Sequence, residues 1–322
     1  MPQVRRKGTS QSWRSMLQSS LFQVRNKNDQ RIKKSMIISI ASGKGGTGKT
    51  TVSTNLALSL KESQLLDCDV EEPNSHIFIK PYFKERTEVF IPVPEVDGDK
   101  CNGCGKCQEV CVYNAIAVVR NKTLIFRELC HGCGACSYLC PENALKEVKK
   151  EIGITETGIK NHLLFSHGKL KIGEMMAPPL IRAVKEKAKK DKAVIIDAPP
   201  GTACPMISTI KDSDFVILVT EPTPFGLNDL TLAVEVVRKL KIPLGVIINK
   251  SDIGNDDVSN YCRKENIPIL MQIPFKREIA VAYSEGIPLI EAFPQYKNEF
   301  VSLYQKIRKD IGHQDTKTQR KI

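Results

Sequence analysis

"IASGKGGTGKTTVSTNLALSL", residues 40–60, closes an apolar strand, passes through a glycine-rich loop and opens a helix. Its reading decides the fold, because it satisfies two phosphate-binding rules at once. Gly43, Gly45 and Gly48 fit the G-x-G-x-x-G of a dinucleotide turn, and Asp67 stands 19 residues beyond Gly48, near the place of a ribose-binding acid. Gly43 through Thr50 also fit G-x-x-x-x-G-K-T, the phosphate-binding P-loop. The second rule explains more. Lys49 and Thr50 directly follow the third glycine, where a P-loop sets an ammonium against the β- and γ-phosphates and a hydroxyl on Mg2+. The loop Gly43, Gly45, Gly46, Thr47, Gly48, with Lys49, Thr50 and Thr51 at the helix start, is therefore the expected triphosphate cradle.

Outward from this loop the chain alternates. MIISIA, QLLDCD, AVIIDA (193–198), FVILVTE (215–221), LGVIINK (244–250) and ILMQIP (269–274) are short apolar runs of the kind that form buried parallel strands. Helical stretches such as APPLIRAVKEKAKK and LNDLTLAVEVVRKL lie between them. The pattern predicts an α/β fold, a doubly wound and mostly parallel sheet of the P-loop type with helices on both faces. One strand ends in Asp197, the expected acid of a magnesium shell. Another ends in Asn249, where open α/β sheets bind ligands and an amide can read a base edge.

The rhythm breaks between about Val93 and Lys149. CNGCGKCQEVCVYNAIAV at 101 and CHGCGACSYLCPENALKEV at 130 superimpose with an offset of 29 residues. Each holds a C-x2-C-x2-C-x3-C run, the spacing of bacterial two-cluster ferredoxins. Three thiolates within seven residues can wrap one face of a cubane, and the fourth, beyond that turn, points to the other cluster. The expected ligand sets are Cys101, Cys104, Cys107 and Cys140 for one [4Fe–4S] cluster, and Cys130, Cys133, Cys136 and Cys111 for the other. Zinc is the competing occupant, but ribbon sites use separated C-x2-C pairs. Pro141 follows the last cysteine as in ferredoxins, whereas Val112 follows Cys111, which removes a turn-stiffening residue and no ligand. Small residues Gly103, Gly105, Gly132, Gly134 and Ala135 let backbone N–H groups approach cluster sulfurs. Of the 11 cysteines, Cys68 and Cys262 read as buried or incidental thiols, and Cys204 lies seven residues after Asp197.

Lys44, inside KGGTGKT, carries a resemblance to the deviant-Walker ATPases, the group of Min-type, Par-type, Mrp-like and nitrogenase iron proteins. In that family two subunits sandwich ATP, and the matching lysine reaches the partner's phosphates. LLDCDVEEPN resembles the family's first switch, which implies that Asp69 aligns the attacking water while Asp67 lies nearer the magnesium. DAPPGT (197–202) resembles the Mrp-like second switch, which makes Gly201 a sensor of the γ-phosphate. NKSD, 249–252, is also the guanine-reading N-K-x-D, but the family's matching Asn reads adenine, which favours ATP. Mrp-like carriers bridge subunits through a C-terminal C-x-x-C that this sequence lacks. The whole resembles a MinD/Mrp-like subgroup with an inserted 2[4Fe–4S] ferredoxin-like α+β domain.

The organisation expected is a basic extension at 1–35, an ATPase domain at 36–92 and 150–304, the insert at 93–149, and a basic tail at 305–322. Trp13, Leu17, Leu21 and Val24 allow a short amphipathic helix, a transit peptide also fits the early lack of acids, and Met36 is a candidate start. Nine basic residues against one acid in 1–35, and six against two in 305–322, carry the whole formal charge of +12. Such ends are usually solvated, so no nucleic-acid partner is expected. No apolar run reaches the ~18 residues of a membrane span, and no secretory signal is visible. The function expected is that of a cytoplasmic, homodimeric ATP hydrolase with ATP, Mg2+ and two [4Fe–4S] clusters. It would couple nucleotide state to electron transfer toward an unidentified redox or metallocofactor-assembly protein. A cluster carrier or scaffold and a Min-like regulator with structural clusters are the alternatives.

Overall fold

The computed structural model describes residues 36–319, with side chains through residue 311. The amphipathic-helix, transit-peptide and start-site expectations at 1–35 lie outside the described residues. Eleven strands follow in chain order: β1 (Ile37–Ala41), β2 (Ser63–Asp67), β3 (Tyr82–Val96), β4 (Ile116–Val119), β5 (Lys122–Ile125), β6 (Leu145–Lys160), β7 (Leu163–Leu170), β8 (Ala193–Asp197), β9 (Phe215–Thr220), β10 (Leu244–Asn249) and β11 (Ile269–Ile273). Among the described residues, nine of them form one sheet in the order β11-β10-β9-β1-β8-β2-β7-β6-β3. From β11 to β7 every pairing is parallel. The apolar runs read from sequence account for six of these seven strands, and all but the edge strand β11, where Gln272 is exposed, are buried on both faces as such runs require.

Helices cover both faces. On one, Tyr296, Phe300, Leu303 and Ile307 of the helix Gln295–Gln319 pack with Ile38, Ile40, Leu56 and Phe165. On the other, Leu230, Ala233, Val234 and Val237 of the helix Pro224–Lys239 meet Val216, Leu218 and Ile248. The stretch 305–322, expected from its charge to be a solvated tail, is helical through Gln319, and Ile307 is fully inside the core. The reason is the spacing of the four apolar residues, which form one stripe under a charged surface.

The remaining strands are antiparallel and were not read from the sequence. β6 turns back into β7, and β6 pairs with β3. The β6–β7 pairing ends at Gly153, opposite Leu170, so residues 145–152 run on beyond the sheet with β3 as a two-stranded ribbon. At ~3.3 Å per residue this overhang is roughly 25 Å long. A bulge at Ile152, between the pairs Val89–Gly153 and Phe90–Glu151, marks the point of departure. Because β6 opposes β7, the overhang lies at the carboxyl ends of the parallel strands, the side on which the glycine-rich loop follows β1. The cysteine repeats and the β4–β5 hairpin hang from its far end. No helix among the described residues is long and apolar enough to cross a membrane.

Candidate functional site

The loop after β1 leads into the helix Lys49–Ser59 through Gly48, whose φ of 95° belongs to the left-handed region. A Cβ there would also lie 2.5 Å from Asn249 Nδ2, so the position excludes any other residue twice over. Gly43 is required for a different reason: a Cβ would collide with the backbone of Asp229 in the helix Pro224–Lys239. The loop, the ends of β2, β10 and β11 and the helix Arg277–Ser284 enclose a cleft of ≈370 Å³. Gly45, Gly46, Gly48, Lys49, Thr50, Thr51, Asp69 and Asn249 line it.

Asp67 and Asp197 sit beneath the cleft floor, directly paired across β2 and β8 and fully buried. Asp67 accepts from Ser75 N (3.0 Å) and Asp69 N (3.1 Å), and Ser75 Oγ donates to Asp197 Oδ2 at 3.1 Å. Burial first, and then the neighbouring Asp197 carboxylate, raise the Asp67 pKa well above the usual range. Burial also raises Asp197, opposed chiefly by Lys49. Asp69 is pushed up to about 7 by burial and then by Asp197, again against Lys49. Asp197 Oδ1 is buried without a hydrogen-bond partner, as is Thr47 Oγ1. Adjacent buried carboxylates with an orphaned oxygen beside the Thr50 hydroxyl are a hard-oxygen donor set, and such a set fits Mg2+.

Three expected site residues are engaged elsewhere in this conformation. Lys44 Nζ lies 3.8 Å from Glu221 Oε2 of its own chain, and Lys250 Nζ holds the other carboxylate oxygen at 2.6 Å. Gly201 N donates to Ser42 O at 3.1 Å. Asn249 Nδ2 donates to Thr47 O at 3.0 Å and its Oδ1 accepts from Lys250 N, so the amide braces the phosphate loop and retains one N–H for a ligand. Sequence reasoning missed the wall of Ile273, Pro274, Phe275, Ile279 and Tyr283 opposite the loop. Its signal was the Pro-Phe pair just past the carboxyl end of β11, the ligand side of an open α/β sheet.

In the cysteine module the two runs cross. Cys101, Cys104, Cys107 and Cys140 surround one small cavity, and Cys111, Cys130, Cys133 and Cys136 another. All eight are free thiols. The crossing is locked by two equivalent contacts. Asn102, just after Cys101, donates to Glu142 Oε1 at 3.1 Å. The residue 29 positions on, His131, stacks on Tyr113 with ring centroids 3.6 Å apart. Each links the start of one run to the end of the other. The glycines repeat too: Gly103 and Gly105 have φ of 70° and 80°, and Gly132 and Gly134 have 65° and 73°. Backbone N–H groups of Ala115, Gly132 and Ala144 donate to Cys111, Cys130 and Cys140 Sγ at 3.3, 3.5 and 3.3 Å. Four cysteine sulfurs around each cavity, three of the eight accepting backbone N–H groups, fit iron–sulfur cubanes. Among the described residues no three His, Cys, Asp or Glu side chains converge on a single metal ion.

Fold and cleft together define a nucleotide-binding P-loop protein built on a mostly parallel α/β sheet. Residues 38–289 match the CobQ/CobB/MinD/ParA nucleotide binding domain, and the chain belongs to that family. It is 37% identical over 281 residues to an uncharacterized protein of Methanocaldococcus jannaschii, covering 86% of this chain and 98% of that one. An iron-sulfur cluster carrier protein of Rickettsia bellii is 27% identical, over 82% of this chain and 69% of its own. Among solved structures, the septum site-determining protein MinD of Pyrococcus horikoshii, complexed with Mg-ADP, shares the fold. Its TM-score is 0.53 at 22% identity, covering 86% of this chain and 98% of that one.

Proposed function

We propose that the chain is a dimeric ATP hydrolase that couples its nucleotide state to electron transfer through two [4Fe–4S] clusters. The observation that carries this reading is the pair of crossed cysteine quartets, set on a ribbon beyond the same sheet edge that carries the phosphate loop. The clusters would be held by Cys101, Cys104, Cys107 and Cys140, and by Cys111, Cys130, Cys133 and Cys136, and would supply one-electron chemistry at low potential.

The nucleotide chemistry rests on the residues already placed. Lys49 and the loop N–H groups bind the β- and γ-phosphates of ATP. Thr50 and Asp197 would hold Mg2+, with Asp67 behind them. Asp69, half-buried at the cleft, orients a water for attack on the γ-phosphorus as the bond to the β-phosphate oxygen breaks. Lys44 leaves Glu221 to meet the partner subunit's ATP, where an added cation offsets charge growing on the transferred group. The remaining Asn249 N–H and the Phe275–Tyr283 wall receive the adenine.

A second reading, a cluster carrier, is favoured by the relatives that bear that name. One experiment separates the two. The anaerobically loaded protein is mixed with an apo-ferredoxin, and iron retention is followed together with reversible reduction. Retained iron with full, repeatable reduction supports electron transfer. Loss of iron to the acceptor, accelerated by ATP, replaces it with the carrier.

A further inference from the structure

The two quartets are related by the repeat but do not sit in equivalent surroundings. Cys130 and Cys111, both of the second quartet, belong to the same apolar cluster as Leu66, Cys68 and Val70, which straddle Asp67 and Asp69. No cysteine of the first quartet is in that cluster: Cys107 and Cys140 pack only within the small core of the module. The same asymmetry is visible in the backbone. Val70 O accepts from Leu170 N at 2.8 Å, Leu170 pairs with Gly153, and Ile152 O accepts from Lys171 N at 2.9 Å. Ile152 is the bulge at which the ribbon leaves the sheet. Two residues beyond it, Lys150 Nζ holds Glu174 at 2.7 Å and donates to Arg127 O of the module at 2.9 Å. Ile91, the partner of Lys150 on β3, and Pro92 then lie against Gly132, where a Cβ would stand 2.9 Å from Pro92 O. An unbroken series of packed and hydrogen-bonded groups thus joins the segment after Asp69 to the loop of Cys130 and Cys133, whereas the first quartet is reached only at the far end of the ribbon, where Cys101 N donates to Asp97 O at 3.1 Å and Asp97 N donates to Ala144 O at 2.7 Å.

From this series we infer that the second quartet is the nucleotide-coupled one, with Val70 and Ile152 as the positioning residues, and that the first quartet is insulated from the nucleotide. The inference rests on the reading given under Proposed function. A displacement at Asp69 on binding of the triphosphate pulls on Val70, and through the end of β7 it reaches the bulge. Because packed interiors transmit small shifts rather than absorbing them, the loop 130–134 responds. The loop 101–107, attached only at the ribbon's far end through Asp97, does not.

Amide hydrogen exchange of the cluster-loaded full chain, with and without Mg-ATP, tests this on the intact protein. Protection is expected at 43–51 and 67–72, an exchange rate altered at least threefold at 111–115 and 130–134, and no change at 101–107 and 140–144. Equal change around both quartets, change around the first alone, or change at 67–72 with neither quartet responding would each overturn the inference while leaving nucleotide binding intact. Absence of protection at 43–51 would instead overturn the nucleotide reading and the inference with it. Val70→Ala provides the second variant: protection at 43–51 persists and the response at 130–134 falls by at least half. An undiminished response in that variant removes Val70 from the path.

Discussion

At the scale of single residues, the cleft depends on a few positions that tolerate little. Gly48→Ala forces a left-handed φ on a residue with a Cβ and drives it against Asn249. Strain of about 1–3 kcal/mol is expected, seen as a ten- to hundred-fold loss in ATP affinity by calorimetric titration. Lys44→Ala should behave oppositely. Its side chain is 32% exposed and its ion pair with Glu221 is long, so stability should change by less than about 0.5 kcal/mol. ATP hydrolysis, assayed by phosphate release, should fall by at least two orders of magnitude if Lys44 meets the growing charge. The thiols outside the quartets divide in the same way. Burial pushes Cys262 up to about 11, so its reactive thiolate appears only as pH rises toward that value. At pH 8 Cys262 should resist iodoacetamide in the native protein, while exposed Cys204 is alkylated, as mass mapping of the alkylated protein would show. Most cleft residues were legible because a phosphate loop must be glycine-rich and end in Lys-Thr. The bracing role of Asn249 was not, because an amide at a strand end reads the same whether it faces a base or a carbonyl.

At the scale of elements, what the sequence displayed depended on burial. The parallel strands announce themselves as continuous Val/Ile/Leu runs because both faces are covered. β3 and β6 do not: TGIK and KERT keep polar side chains on an open face, and bulges at Phe83/Glu85 and Val89/Phe90 break the alternation that would mark them. The carboxyl-terminal helix was hidden by its charges. Ile307→Ala should cost about 2–4 kcal/mol in denaturant unfolding, the cost of a cavity and not of a trimmed tail. The ribbon joint offers a matching test. Lys150→Met leaves Glu174, whose side chain is 5% exposed, without its cation. Loss of about 2–4 kcal/mol is expected. The double variant Lys150→Met, Glu174→Gln should recover much of it in the same denaturant titration.

At the scale of the whole molecule, the arrangement shows how the two proposed chemistries would share one chain. The parallel sheet gathers the phosphate loop, the paired acids and the base-side wall at its carboxyl edge. The antiparallel ribbon carries the cysteine module past that same edge, so that, in the function proposed, a nucleotide-dependent movement and a change in cluster surroundings would be one event. The repeat and its crossed spacing were readable in the sequence, since thiolate ligands demand fixed intervals. The side of the sheet on which the module lies was not, because it depends on the direction of β6, a strand without a clear sequence mark.

The central claim is tested most directly by the reduction potentials of the anaerobically loaded protein, titrated with EPR detection in the absence and presence of Mg-ATP. A shift of ~60 mV in at least one cluster, about 1.4 kcal/mol for a one-electron couple, is the predicted result. Unchanged potentials, with both clusters counted by iron and sulfide and ATP demonstrably bound, would contradict it and leave the clusters structural or carried.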